Sequence, residues 1–201
     1  TLEYFRRRDL AVEFKADASP VTAADRAAEE LLRQRIAERF PDDSILGEEF
    51  GAVVGTSGYQ WVLDPIDGTK SFVHGVPLYT TLVAVLAEER PKLGIIYAPA
   101  CGEMLYAAVG GGCWYCDTRS ADAAPTPARV SAVKQLRESL LLTTEIACFS
   151  TARANDALAM YLDLQRAARL ARTWGDGYGY LMVATGRAEV MVDPGVNLWD
   201  A

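Results

Sequence analysis

An α/β fold in two parts, an antiparallel sheet first and a more parallel one second, is what this sequence predicts, and three observations predict it. An apolar stripe of helical period marks the first long element. Short apolar runs separated by turn residues follow, and beyond residue 127 strand-like and helix-like segments alternate. The 201 residues are half hydrophobic and 23% charged. That is enough for one sizeable core, or for two small subdomains that share one.

Residues 22–39 read as a helix. Thr22 is a good N-cap, Ala24, Ala27, Ala28, Leu31, Leu32 and Ile36 make the stripe, and Pro41 stops it. Ile45 and Leu46 lead into Gly47-Glu48-Glu49, and residues 59–63 read as a strand ending at Asp64. Residues 82–86, 92–97 and 103–108 are three more strands. Glu88-Glu89-Arg90-Pro91 turns between the first two, and Gly110-Gly111-Gly112 closes the third. A spacing of about 8 to 12 residues suggests an antiparallel meander. Residues 117–127, rich in Ala, Pro, Ser and Asp, read as a loop, which divides the chain softly into residues 1–125 and 126–201. Beyond it, residues 140–143 read as a strand and 155–172 as a helix. Residues 178–185 read as a second helix with Gly186 at its C′ position, and 188–192 as a strand.

Composition narrows the function. A net charge of −7 argues against a nucleic-acid surface. No apolar run approaches the ~18 residues that span a bilayer. The basic cluster Arg6-Arg7-Arg8 is not followed by the apolar core of a signal peptide, so the cytoplasm is the expected location, with no membrane partner. An acidic chain still binds phosphate when a bound cation reverses the local field, which points to metal-assisted chemistry. The four cysteines include a lone C-x-x-C, Cys113 and Cys116, but Cys101 and Cys148 sit far apart and His74 is the single histidine, so no zinc-site motif is present. Ordinary strand thiols are expected.

The chemistry concentrates in Asp64-Pro65-Ile66-Asp67-Gly68-Thr69. An apolar strand delivers Asp64 to its end, and Asp67 lies close enough for both carboxylates to face one ion. Mg²⁺ takes one or two carboxylates plus waters and substrate phosphate, and the Ile66 carbonyl could add another oxygen. The amides of Gly68 and Thr69 could open a helix N-terminus that holds phosphate. Taken alone, the same spacing also suits an Asx turn. Glu48 and Glu49 are either solvated surface or a third carboxylate. Asp25 completes a capping box with Thr22, or accepts from the Thr69 hydroxyl. Asp200 is a helix N-cap or a carboxylate at a second metal.

Taken together, these motifs resemble the inositol monophosphatase superfamily. Gly47-Glu48-Glu49, Asp64 to Thr69 and Trp199-Asp200 occur in that family's order, and Lys15 to Asp25 resembles its N-terminal segment. The resemblance covers nearly the whole chain. It implies a layered αβαβα sandwich and a Mg²⁺-dependent phosphate monoester hydrolase using two or three ions, with Mn²⁺ as a substitute. Glu48, Asp64, Asp67, Asp200 and the Ile66 carbonyl would be metal ligands. Thr69 and Asp25, with Glu48, would orient and deprotonate a water that attacks directly, without a phosphoenzyme. A homodimer is implied too. Family members continue past a Trp-Asp pair with a helix and further strands, so the C-terminal part of the fold is expected to lie beyond Ala201.

Within the superfamily the histidinol-phosphate phosphatase branch fits best. Lys70-Ser71 follows Thr69 where inositol enzymes usually carry Thr-Asn or similar, and Gly175-Asp176-Gly177-Tyr178 and Val190 to Pro194 are similar to that branch. Asp176 and Asp193 on the leaving-group side suit a cationic alcohol such as L-histidinol better than a neutral polyol. Asp176 otherwise reads as a helix N-cap, and Asp193 as part of a strand-end turn with Pro194-Gly195. Arg172 faces the same pocket or caps the preceding helix. Inositol-1-monophosphatase or a related small-molecule phosphatase is the enzymatic alternative. A non-catalytic regulatory protein that kept the fold is the alternative of another class.

Overall fold

The structure, a computed structural model, describes residues 1–15, 19–120, 122–151 and 157–200. Strand β1 (Val12–Phe14) pairs antiparallel with β2 (Pro20–Thr22), which runs directly into α1 (Ala23–Arg39). The capping box forms: the Ala24 amide donates to Thr22 Oγ1 at 3.1 Å, and the Thr22 amide to Asp25 Oδ2 at 2.8 Å. The inward face of α1 differs from the stripe read off the sequence. Ala24, Asp25, Glu29 and Ile36 are buried, whereas Leu31 is 54% exposed. Two carboxylates occupy that face because donors meet them there: the Thr22 amide and hydroxyl at Asp25, and the amides of Glu49 and Phe50 at Glu29.

Next come β3 (Ser44–Gly47), β4 (Gly51–Val53) and β5 (Tyr59–Asp67), and after the short helix α2 (Thr69–Val73) the hairpin of β6 (Thr80–Ala87) and β7 (Arg90–Ala98). The hairpin loop is Glu88-Glu89, both at positive φ, which matches the right-handed twist of the strands it joins. β8 (Glu103–Ala108), β9 (Gly112–Asp117) and β10 (Thr126–Pro127) complete an eight-stranded sheet ordered β10-β9-β8-β7-β6-β5-β3-β4. All its pairings are antiparallel except β3 with β5. β9 lies where the sequence pattern predicts no strand. Its glycine-rich start hides a segment whose ladder partners come from β8. Cys113 and Cys116 sit three apart on β9, so they face opposite sides of the sheet.

The second part holds β11 (Leu140–Leu142), α3 (Cys148–Thr151), α4 (Ala157–Ala167), β12 (Leu170–Arg172), α5 (Gly177–Ala184) and β13 (Val190–Met191). β12-β11-β13 is a parallel sheet. The helix expected over 155–172 is shorter: residues 155 and 156 lie outside the described residues, α4 ends at Ala167, and Leu170–Arg172 is strand. Pairing with Leu140–Leu142 overrides the helical pattern there. Gly186 follows α5 at φ 74°, in the expected left-handed position.

Core contacts give the layering. Ile36 of α1 packs with Ile45 and Leu63 on the large sheet. Leu181 of α5 meets Ala98 and Leu105 of that sheet, while Met182 of the same helix meets Leu140 and Leu142 of the small one. Tyr161 of α4 covers the far side with Leu141 and Phe149. Helix, sheet, helix, sheet, helix is the layer order, so the αβαβα sandwich and its order of sheets stand as expected. Among the described residues, no helix is long and apolar enough to cross a membrane.

Candidate active site

On a regular strand, residues three apart point to opposite faces. Asp64 and Asp67 escape that rule. The register against β6 shifts between them, where Asp64 lies opposite Leu82 and Asp67 opposite Thr80. The irregularity re-aims the chain, as bulges beside functional sites do. Both carboxylates therefore converge with Asp200, from a 3₁₀ turn at Leu198–Asp200, and one oxygen from each lies within 4.8 Å of the others.

Three carboxylates this close repel one another when charged, and a counter-charge between them relieves that repulsion. Asp64 is 2% exposed, and its Oδ1 has no hydrogen-bond partner among the described residues. Burial drives the Asp64 carboxyl well above its usual range, with further repulsion from Asp67, Glu48 and Asp200. Asp67 is pushed up to about 7, by burial first and then by the charge of Asp176. Two donors oppose that shift: Thr80 Oγ1, 2.8 Å from Asp67 Oδ2, and the amide of Gly177 on the same oxygen. A buried carboxylate oxygen with no donor, facing two more carboxylates, is the donor set of a hard divalent cation. The residues fit such an ion.

Glu48 stands beside this cluster rather than within it. Its amide donates to the Leu63 carbonyl at 3.2 Å, and Lys15 Nζ holds Glu48 Oε1 at 2.7 Å and Glu49 Oε1 at 2.6 Å. Glu29 fixes this loop from behind. Fully buried, it accepts from the amides of Glu49 (2.7 Å) and Phe50 (3.2 Å) and pairs with Arg33 at 2.7 Å.

Thr69 opens α2 after Gly68, whose φ is 81°. That conformation favours glycine, and a Cβ there would lie 2.5 Å from Asp176 Oδ2. Thr69 Oγ1 lies 3.0 Å from the Ile66 carbonyl oxygen and 3.4 Å from Asp25 Oδ1. Thr22 occupies the other Asp25 oxygen through its amide and its hydroxyl, at 2.8 and 2.6 Å. Burial raises the Asp25 carboxyl, and the Thr22 hydrogen bonds only partly offset it.

Asp176 and Asp193 lie with Thr69, Lys70 and Glu48 in one cleft of about 800 Å³. Thr144 joins them, donating to Asp193 Oδ2 at 2.8 Å and accepting from the Asp176 amide at 3.2 Å. Asp176 is the residue before α5, yet its side chain makes no cap hydrogen bond, and its φ is 57°. A non-glycine residue held there stores strain that helix capping does not explain. Asp176 is pushed up to about 6 by burial, then by Asp193. Asp193 is raised by burial too, less so because of Thr144. Arg172 is not brought to the cleft. It lies exposed on β12, where its guanidinium donates to the Ala171 carbonyl at 2.7 Å.

The family model for inositol monophosphatases matches residues 1–201. The chain belongs to the inositol monophosphatase family. A protein named histidinol-phosphatase from Chlorobaculum parvum is 44% identical over 200 residues, spanning all of this chain and 73% of the relative. A histidinol-phosphatase from Streptomyces coelicolor is 39% identical over 209 residues, covering all of this chain and 74% of the relative. Among solved structures, the extragenic suppressor protein suhB from Bartonella henselae superposes with a TM-score of 0.84 at 25% identity, covering 99% of this chain and 74% of that one.

Membership in this phosphatase family makes the protein a phosphoric monoester hydrolase. Three positions that pattern reading did not single out shape the site of this inositol monophosphatase-family member. Glu29 was readable only as the residue four after Asp25 and four before Arg33, on one helix face. Thr80 at the start of an apolar strand and Thr144 in the bend after β11 carry no sequence signal: a threonine is ordinary in either place until its partner is known.

Proposed function

We propose that the protein is a Mg²⁺-dependent histidinol-phosphatase, hydrolysing L-histidinol phosphate to L-histidinol and inorganic phosphate. The observation that carries the reading is the pairing of Asp176 with Asp193 through Thr144, in the cleft that also holds Thr69. Two acids on the leaving-group side match an alcohol bearing an ammonium and an imidazole, and the relatives named histidinol-phosphatase support that choice.

Asp64, Asp67 and Asp200 would hold the divalent cation, with Glu48 and the Ile66 carbonyl beside them. Bound there, the cation would supply Lewis-acid stabilisation of the phosphoryl oxygens and acidify water. Residues 1–125 contribute this centre apart from Asp200, and residues 126–201 contribute Asp200, Asp176 and Asp193. Gly68 and Thr69 present the start of α2 to the phosphate. Thr69 Oγ1 takes the proton lost by the attacking water as its own hydrogen moves toward Asp25 Oδ1, the oxygen that Thr22 leaves free. A cytoplasmic homodimer belongs to the same reading, and the family resemblance supports it.

Phosphate release from L-histidinol phosphate and from inositol 1-phosphate, with Mg²⁺ or with EDTA, tests the reading. Turnover of the first that EDTA abolishes supports it. Preference for inositol 1-phosphate would keep the chemistry and reject the substrate.

A further inference from the structure

Outside the carboxylate cluster, one ion pair bridges the cleft. Lys70 Nζ lies 2.8 Å from Glu145 Oε2. The partners come from different parts of the fold: Lys70 from α2, directly after Thr69, and Glu145 from the segment that follows β11. Among the described residues that line the cleft, Lys70 is the one cation, beside the carboxylates Glu48, Glu145, Asp176 and Asp193. The Glu145 side chain is 46% exposed and that of Lys70 72%, so solvent screens the pair and it adds little as a stabilising contact. Its position gives it another use.

We propose that Lys70 and Glu145 form an exchangeable ion pair that reads a substrate carrying phosphate at one end and a cation at the other. On binding, Lys70 turns to the phosphate beside Thr69, and Glu145 takes the ammonium or imidazolium of the leaving group. Every charge broken out of the pair finds a new partner. A phosphate ester of a neutral alcohol satisfies Lys70 but gives Glu145 no cation, so it forgoes the contact that a cationic leaving group gains. Glu145 is therefore a specificity-determining residue. The Lys70 hydrogen bond, and then its charge, hold the Glu145 carboxyl below the usual range, so the acid is ionised when the substrate arrives. The inference rests on the proposed histidinol-phosphatase reading.

The test uses the full chain with Mg²⁺, as wild type, Glu145→Gln, Lys70→Met and the double variant. Values of kcat and KM are measured for L-histidinol phosphate and for glycerol 2-phosphate, a monoester of a neutral alcohol. Calorimetry measures binding of L-histidinol, the cation without the phosphate. We expect Glu145→Gln to lower the kcat/KM ratio of L-histidinol phosphate to glycerol 2-phosphate about tenfold, chiefly through KM. L-histidinol should bind about tenfold more weakly to Glu145→Gln and more tightly to Lys70→Met, in which Glu145 is released. Equal effects of Glu145→Gln on both esters, or unchanged L-histidinol binding in that variant, would overturn the exchange. If wild type does not favour L-histidinol phosphate, the functional reading fails by itself, and L-histidinol binding still decides whether Glu145 receives a cation.

Discussion

The carboxylate of Asp67 accepts a hydrogen bond from the backbone amide of Gly177, 110 residues further along the chain. This contact joins the end of β5 to the start of α5 and so fixes one wall of the site against the other. A Cβ on Gly177 would lie 2.8 Å from Asp67 Oδ2 and also against Thr80 Oγ1, in a place with no room to yield.

Gly177→Ala should therefore destabilise the fold by about 1–3 kcal/mol and weaken divalent binding together. Urea denaturation and Mg²⁺ titration read the two effects. A loss of stability with unchanged affinity would show that the contact does not position Asp67.

Asp67→Asn keeps the shape and removes the charge. Divalent affinity should fall by more than about a hundredfold, beyond the usual cost of losing a partner behind a ligand, and turnover should fall with it. Equilibrium dialysis with Mn²⁺ measures it directly.

Metal-free protein should lose stability as pH rises. Asp67 at about 7 and Asp176 at about 6 both lie above the unfolded value, so between pH 4 and 7 the folded state binds more protons than the unfolded chain. The extra stability is complete below the unfolded pKa and is gone once pH passes the folded ones. Melting temperatures in EDTA should thus drop from pH 5 to pH 8, and Mg²⁺ should flatten the slope. A flat profile in EDTA would contradict the assignment.

Thr69→Val preserves volume and removes the hydroxyl between Ile66 and Asp25. A fall in kcat of about a hundredfold or more, with KM little changed, is expected from a lost proton relay. A change confined to KM would assign Thr69 to binding alone.

Glu29→Ala should cost about 3 kcal/mol, because Arg33 and two loop amides lose a fully buried acceptor. Glu48 rides on the same loop, so the variant should also need more Mg²⁺ for half-maximal activity. A stability loss without a shift in Mg²⁺ demand would make Glu29 structural only.

Local pattern alone determined a good deal of this protein. The cap at Thr22 and the two helix ends around Gly68 and Gly186 are set by residues within a few positions of one another, and backbone preference acts at that range. The strand expected to end at Asp64 instead runs on to Asp67 through a register shift that pairing with β6 imposes. The order of Glu48, Asp64 to Thr69 and Asp200 along the chain points to the family by itself. Tertiary structure alone decided what depends on partners far along the chain. Leu170–Arg172 is a strand because β11 lies beside it. Asp25 and Glu29 are buried because the Thr69 hydroxyl and the amides of Glu49 and Phe50 meet them there. Thr80, Thr144 and Glu145 gain their roles from contacts with Asp67, Asp193 and Lys70 across 13, 49 and 75 residues. A hydrogen bond or ion pair leaves no periodicity in the sequence, and its partner is known only once loop closure has brought the two residues together.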